Sequence, residues 1–215
     1  MRMKTIVRFS MLAVVALCAT IVQAERLSRQ QAIARMKPYA GKHVRGVDTS
    51  TMHRKVMCGY QGWFSAEGDG SNMRWFHYSS RGQFKPGQCS IDLWPDMSEM
   101  DAGEKYATPF KHKDGTVASV FSSHNRKTVV RHFKWMKDHG IDGVFLQRFG
   151  GIVKSGRGLA ERTVVTAHVQ AGANLHGRTW AMMYDLSGLR PGDIEKYVIE
   201  DWKLLIDKMR ITRDK

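Results

Sequence analysis

Between Lys127 and Gly188 the chain repeats one unit, a helical pattern followed by an apolar strand, and this repeat constrains the fold more than any other feature. KTVVRHFKWMKDHG carries Val129, Phe133 and Met136 at helical spacing, with Thr128 placed to cap the helix and Gly140 to close it. From Ile141 to Phe149 the period changes, and Val144, Phe145 and Leu146 form the short apolar run of a strand covered on both faces. Leu159 to Ala171 reads as a second helix, ended by Gly172 to Gly177, and Trp180 to Leu186 repeats the strand. Alternation of this kind predicts an α/β fold with a parallel sheet. Both strands finish in polar groups, Gln147 and Arg148 on the first and Asp185 on the second. Sites in parallel α/β architectures assemble at the C-terminal strand ends, so these three residues are candidates for one rim.

The flanking sequence adds further elements. KVMCGYQGWF, from Lys55 to Phe64, is a strand candidate with Val56, Cys58 and Tyr60 on one face, running into Gln61, Gly62 and Trp63. A polar, aromatic loop follows, with Glu67, Asp69, Trp75, His77 and Tyr78 just beyond the strand end. Rings and carboxylates close together suit a carbohydrate, whose apolar CH faces meet rings while its hydroxyls meet carboxylates. Tyr106 to Ser123 reads as a hairpin turning at Asp114-Gly115. A last helix, capped by Asp193, places Val198, Trp202, Leu205, Ile206 and Met209 inward. The 25–50 segment is a lead-in containing one short helix over Ser28 to Met36, and it suggests no function.

Residues 1–24 have the form of a signal peptide: Arg2, Lys4 and Arg8, then an apolar run from Met11 to Val22, then Val22-Gln23-Ala24 as a cleavage site. The run is short for a membrane span and Glu25 and Arg26 follow it directly, which favours a secreted or periplasmic protein without stable membrane insertion. Removing those three cations lowers the net charge from +14 to +11. The remaining Lys and Arg are spread along the chain with no compact basic arm, which argues against a nucleic-acid partner. Cys58 and Cys89 remain, and their spacing does not decide whether they pair. There is no HExxH and no EF-hand spacing among Asp92, Asp96, Glu99 and Asp101, so no metal is expected. GGIVKSGRG lacks GxGxxG and GKS/GKT, and no cofactor is implied.

Carboxylates at or near strand ends (Asp69, Asp92, Asp96, Asp142, Asp185) raise glycoside hydrolysis, which commonly uses a carboxyl pair. Asp142 begins its strand and suits a cap or turn instead. There is no GxSxG for esterase chemistry. The blocks KVMCGYQGWF, GDG, WFHY, IDLWPDMSEM, RHFKWMKDHGIDGVFLQRF and MMYDLSG together resemble bacterial exported proteins related to glycoside hydrolase families 71 and 99. The resemblance implies that residues 51–215 form the N-terminal portion of a (β/α)8 TIM barrel, with about three strand-helix units of the eight a barrel needs. It implies hydrolysis of O-glycosidic bonds in an α-linked polysaccharide or glycan of mannan or glucan type. The strand starts at Ile141 and Thr179 lie 38 residues apart, and the sequence stops where a fourth unit is expected. No ExxE pair matches the family-99 acid and base, so the catalytic residues stay unassigned and enzymatic activity stays open. The substrate-binding candidates are Gln61, Trp63, Asp69, Trp75, Tyr78, Gln147, Arg148 and Asp185. The alternative is a non-catalytic, exported carbohydrate-binding protein.

Overall fold

In chain order the strands are β1 (Met57–Tyr60), β2 (Tyr106–Lys111), β3 (Val117–Val120), β4 (Gly143–Phe149) and β5 (Thr179–Asp185). The longer helices are α1 (Arg29–Ala34), α2 (Arg126–Asp138) and α3 (Gly156–His176), and a helical run covers 191–209. The computed structural model describes residues 27–212, so the signal-peptide assignment lies outside the described residues. β1, β4 and β5 form a parallel sheet with β4 in the middle, Val144 opposite both Cys58 and Trp180. β2 and β3 pair antiparallel as a separate hairpin.

The expected barrel is overturned by this topology. A barrel requires the sheet to pair back on itself, whereas this sheet ends at β1 on one side and at β5 on the other. The connectivity also differs from repeated strand-helix units, because the route from β1 to β4 passes through a long loop and the hairpin before α2. The domain is a small mixed one, an open parallel sheet beside an antiparallel hairpin.

Strand alternation sorts the core. Val144 and Leu146 of β4 point to the helical side, where they meet Val129, Phe133 and Met136 of α2 and Val165, Val169 and Ala173 of α3, with Tyr60, Trp180 and Met182 packed alongside. Burying Phe133 completely contributes about 2–3 kcal/mol. The helices approach closely because Gly172 lies against the Phe133 ring; a Cβ there would come within 2.5 Å of it. The second helix therefore tolerates Gly172 in its interior and runs on to His176, closing with Gly177 in the left-handed conformation. The cap of α2 is Asn125, whose side chain accepts from the Lys127 amide, while Thr128 is buried inside the helix.

Trp202 is exposed and not the core residue its spacing suggested. π-helical turns at Ile194–Ile199 and Leu205–Met209 flank the α-turn at Glu200–Leu204. Extra residues per turn rotate the succeeding side chains about the helix axis, and Asp201 takes the inward place beside Val198 and Leu205. A second core lies under the hairpin, where Tyr78, Phe84 and Val120 are buried against Phe64, Trp75, Trp94 and Phe110.

Candidate functional site

The side of the sheet away from the helices carries Phe145, Gln147 and Phe149 of β4 in register with Ala181, Met183 and Asp185 of β5. At its C-terminal end, Gln147 Nε2 donates to Asp185 Oδ2 at 2.6 Å. Hydrogen bonds from Ser187, and then from Gln147, hold the Asp185 carboxyl below its ordinary value, so it stays ionised. Beyond β1, Gly62 adopts a left-handed conformation (φ 57°), and its carbonyl accepts from Arg162 Nη1 of α3 at 3.1 Å. That clamp directs Trp63 across the rim, where its indole stacks on His77 with centroids 4.2 Å apart and planes 13° from parallel. Phe149 closes the group, its ring centroid 6.1 Å from Trp63.

His77 is itself a strained position. It sits at φ 62° in a stretch where Asn72 and Arg74 are also left-handed, a conformation that costs non-glycine residues about 1–2 kcal/mol each. Ser90 Oγ donates to its carbonyl at 2.5 Å and helps hold it there. Burial, reinforced by the nearby Arg162 charge, pushes the imidazole down to about 4, so the ring under Trp63 is neutral.

Beside this group is a cleft of about 310 Å³ between Tyr60, Gln61, Phe64, Phe121, His132 and Gln147. Tyr60 Oη lies 2.8 Å from His132 Nδ1. Burial keeps the phenol protonated and pushes His132 down to about 4, so Tyr60 donates and His132 Nδ1 accepts. Below the rim, Glu161 and Arg162 are closed off from solvent. Arg162 Nη2 comes within 2.5 Å of Glu161 Oε2, yet the groups are neighbours on one helix and meet without hydrogen-bond alignment, leaving both Glu161 oxygens without a hydrogen-bond partner.

Of the candidates read from the sequence, Gln61, Trp63, Gln147 and Asp185 come together on this rim. The other four serve structure. Arg148 is buried, forming two hydrogen bonds to Asp201 at 2.6 and 2.7 Å and a third to Thr166 at 3.1 Å; Tyr184 also donates to Asp201. Tyr78 is buried and donates to the Phe121 carbonyl at 3.0 Å. Trp75 packs against Phe84 and bonds to Glu67 at 3.1 Å. Asp69 accepts from the Ala66 and Ser71 amides and from Ser122 Oγ at 2.9, 2.7 and 2.6 Å, which fixes its loop. Asp142 accepts from the Val56 amide at 2.8 Å, tying the start of β4 to that of β1.

Phe149 and His132 were not among the candidates, and His77 was named within the polar, aromatic loop suited to a carbohydrate but not among the eight binding residues. Phe149 was accessible to sequence reasoning, since it shares a strand face with Gln147; the stacking of His77 is a long-range contact with no local signal. Cys58 and Cys89 are free, and no cluster of His, Cys, Asp or Glu among the described residues could hold a metal ion. No helix among them is long and apolar enough to cross a membrane. No family model, curated protein or solved structure matches the chain. The TIM barrel is overturned by the sheet topology, and nothing among the described residues supports the hydrolase and glycosidase assignments, which came from the sequence resemblance.

Proposed function

We propose that the C-terminal rim of the parallel sheet binds a carbohydrate without cleaving it. The observation that carries this reading is the Gln147–Asp185 pair, bonded at 2.6 Å and neighbouring the Trp63–His77 stack and Phe149. A saccharide needs a flat apolar surface for its CH face and fixed polar groups for its hydroxyls, and convergence of a few polar groups beside rings is how ligand sites fix orientation. Binding is favoured over turnover because hydrolysis places two carboxyls about 5–10 Å apart across the scissile bond. Among the described residues Asp185 has no such free counterpart on this rim, since Asp69 is held by three donors and Glu161 is sealed in the interior.

The resemblance to family 71 and 99 proteins guides the choice of ligand towards α-linked mannan and glucan oligosaccharides. Titration calorimetry with these and with β-linked controls tests the reading. We expect α-linked ligands to bind, with Trp63→Ala and Asp185→Asn each weakening binding at least about tenfold, or ~1.4 kcal/mol. Absence of binding at millimolar ligand, or indifference to both substitutions, overturns it. The same reading places the mature protein outside the cytoplasm, and the intact mass of exported protein should lack residues 1–24.

A further inference from the structure

The lead-in segment, silent in the sequence, builds the wall of a second cavity at the opposite end of the sheet. Residues 43–49 lie across the C-terminal end of α3. The Val44 amide donates to the Asn174 carbonyl at 2.8 Å and the Val47 amide to the Gly177 carbonyl at 3.0 Å, satisfying acceptors that a helix end leaves open. Gly46 is required there, because a Cβ would collide with the Gly177 carbonyl. His43 is fixed as well: Asn174 Nδ2 donates to the Gln170 carbonyl at 2.8 Å, so the amide oxygen is the atom that faces His43 Nδ1, 2.5 Å away. Between this strap and the start of β5 is a cavity of about 570 Å³, within the range of small-ligand sites.

The charge around this cavity is unbalanced. Arg178 is half-buried, and its Nε and Nη1 donate to the His176 and Ile141 carbonyls at 3.3 and 3.2 Å. Those bonds fix the guanidinium without neutralising it, and its Nη2 has no partner among the described residues. Arg45 also lines the cavity and has no hydrogen-bond or ion-pair partner among them. The lining's acid, Asp48, is committed to the Ser50 amide and hydroxyl at 2.9 and 3.0 Å, with the Lys55 charge close by. An apolar side completes the cavity, formed by Val44, Val47, Trp180 and Ile211. The two unneutralised guanidinium groups leave the cavity positively charged, and guanidinium groups favour the paired oxygens of carboxylates and phosphates.

We propose that this cavity is a binding site for a small organic oxyanion, its carboxylate or phosphate held between Arg45 and Arg178 and its body against Trp180. The site is separate from the rim and independent of the carbohydrate reading. The test uses the full chain carrying Trp63→Ala, which weakens rim binding, with glucuronate, glucose 6-phosphate, glucose and inorganic phosphate titrated at one fixed ionic strength. Glucuronate or glucose 6-phosphate should bind, the tighter one identifying the anion class, with glucose and inorganic phosphate at least tenfold weaker. Arg45→Gln, at an exposed position, should remove most of that affinity while leaving the melting temperature unchanged. The proposal is overturned if glucose binds as well as its charged derivatives, if inorganic phosphate binds as well as the sugar anions, if none of the four binds, or if Arg45→Gln has no effect.

Discussion

Glu161 makes a measurable demand on stability. Burial is the largest influence on its carboxyl, with the Asp69 charge adding to it and Arg162 and Arg148 opposing, and the balance raises it from an ordinary 4.5 to about 7. The unfolded chain therefore releases this proton near 4.5 while the folded chain holds it to about 7. Between those values the folded state binds more protons, so stability from this group is complete below 4.5 and falls as pH rises to about 7. A displacement of about 2.5 units at ~1.4 kcal/mol each corresponds to roughly 3 kcal/mol. His77, His132 and His168, all pushed down to about 4 chiefly by burial, act in the opposite sense over much of this range, so the parent's overall profile does not isolate Glu161. The difference between Glu161→Gln and the parent does, because the histidines cancel and glutamine does not titrate. Urea denaturation followed by tryptophan fluorescence at intervals from pH 4.5 to 8 gives that difference. We expect it to move by roughly 3 kcal/mol in favour of the variant, about 1.5 M in midpoint for an m-value near 2 kcal/mol/M. A difference that stays constant within ~0.5 kcal/mol across the range would mean that Glu161 ionises as an ordinary exposed carboxyl, and the account of the sealed interior below the rim would be wrong.

Two further substitutions test the packing that supports the rim. Asp201→Asn leaves the Arg148 charge buried without its carboxylate and should cost about 3–5 kcal/mol, whereas Arg148→Met combined with Asp201→Leu should recover much of that loss; equal losses in the single and double variants would show that the pair is not acting as a pair. Gly172→Ala sets two effects against each other. Helix propensity alone favours alanine by about 1 kcal/mol, but the added methyl meets the Phe133 ring and overpacking costs about 1–3 kcal/mol, so net destabilisation by thermal melting is expected and net stabilisation would refute the close approach of α2 and α3.

The elements that depend on local period were legible in the sequence. The apolar positions of α2, the strand runs β4 and β5 and the hairpin turn at Asp114-Gly115 lie close to where their spacing put them. What period could not supply was closure. The same strand-helix alternation serves an open sheet and a barrel, and the choice rests on what pairs with β1 and β5, which neither strand's sequence encodes. Nor could an α-helical wheel foresee π-turns, so Trp202 and Asp201 exchanged their expected environments.

The candidate rim divides along one rule of strand geometry. Gln147 and Arg148 both end β4, yet adjacent strand residues point to opposite faces. Arg148 shares parity with Val144 and Leu146, whose apolar side chains mark the helix-covered face, so its charge had to be buried and had to find a carboxylate. That carboxylate is Asp201, more than fifty residues away on a helix whose turns obscured its direction. Gln147 has the parity of Phe145 and Phe149, the open face, and Asp185 reaches it through the parallel register with β5. A polar residue at a strand end is therefore a binding candidate only when its parity opposes the apolar run. By that criterion Gln147 and Asp185 remain on the rim, and Arg148 is what holds the sheet to the final helix.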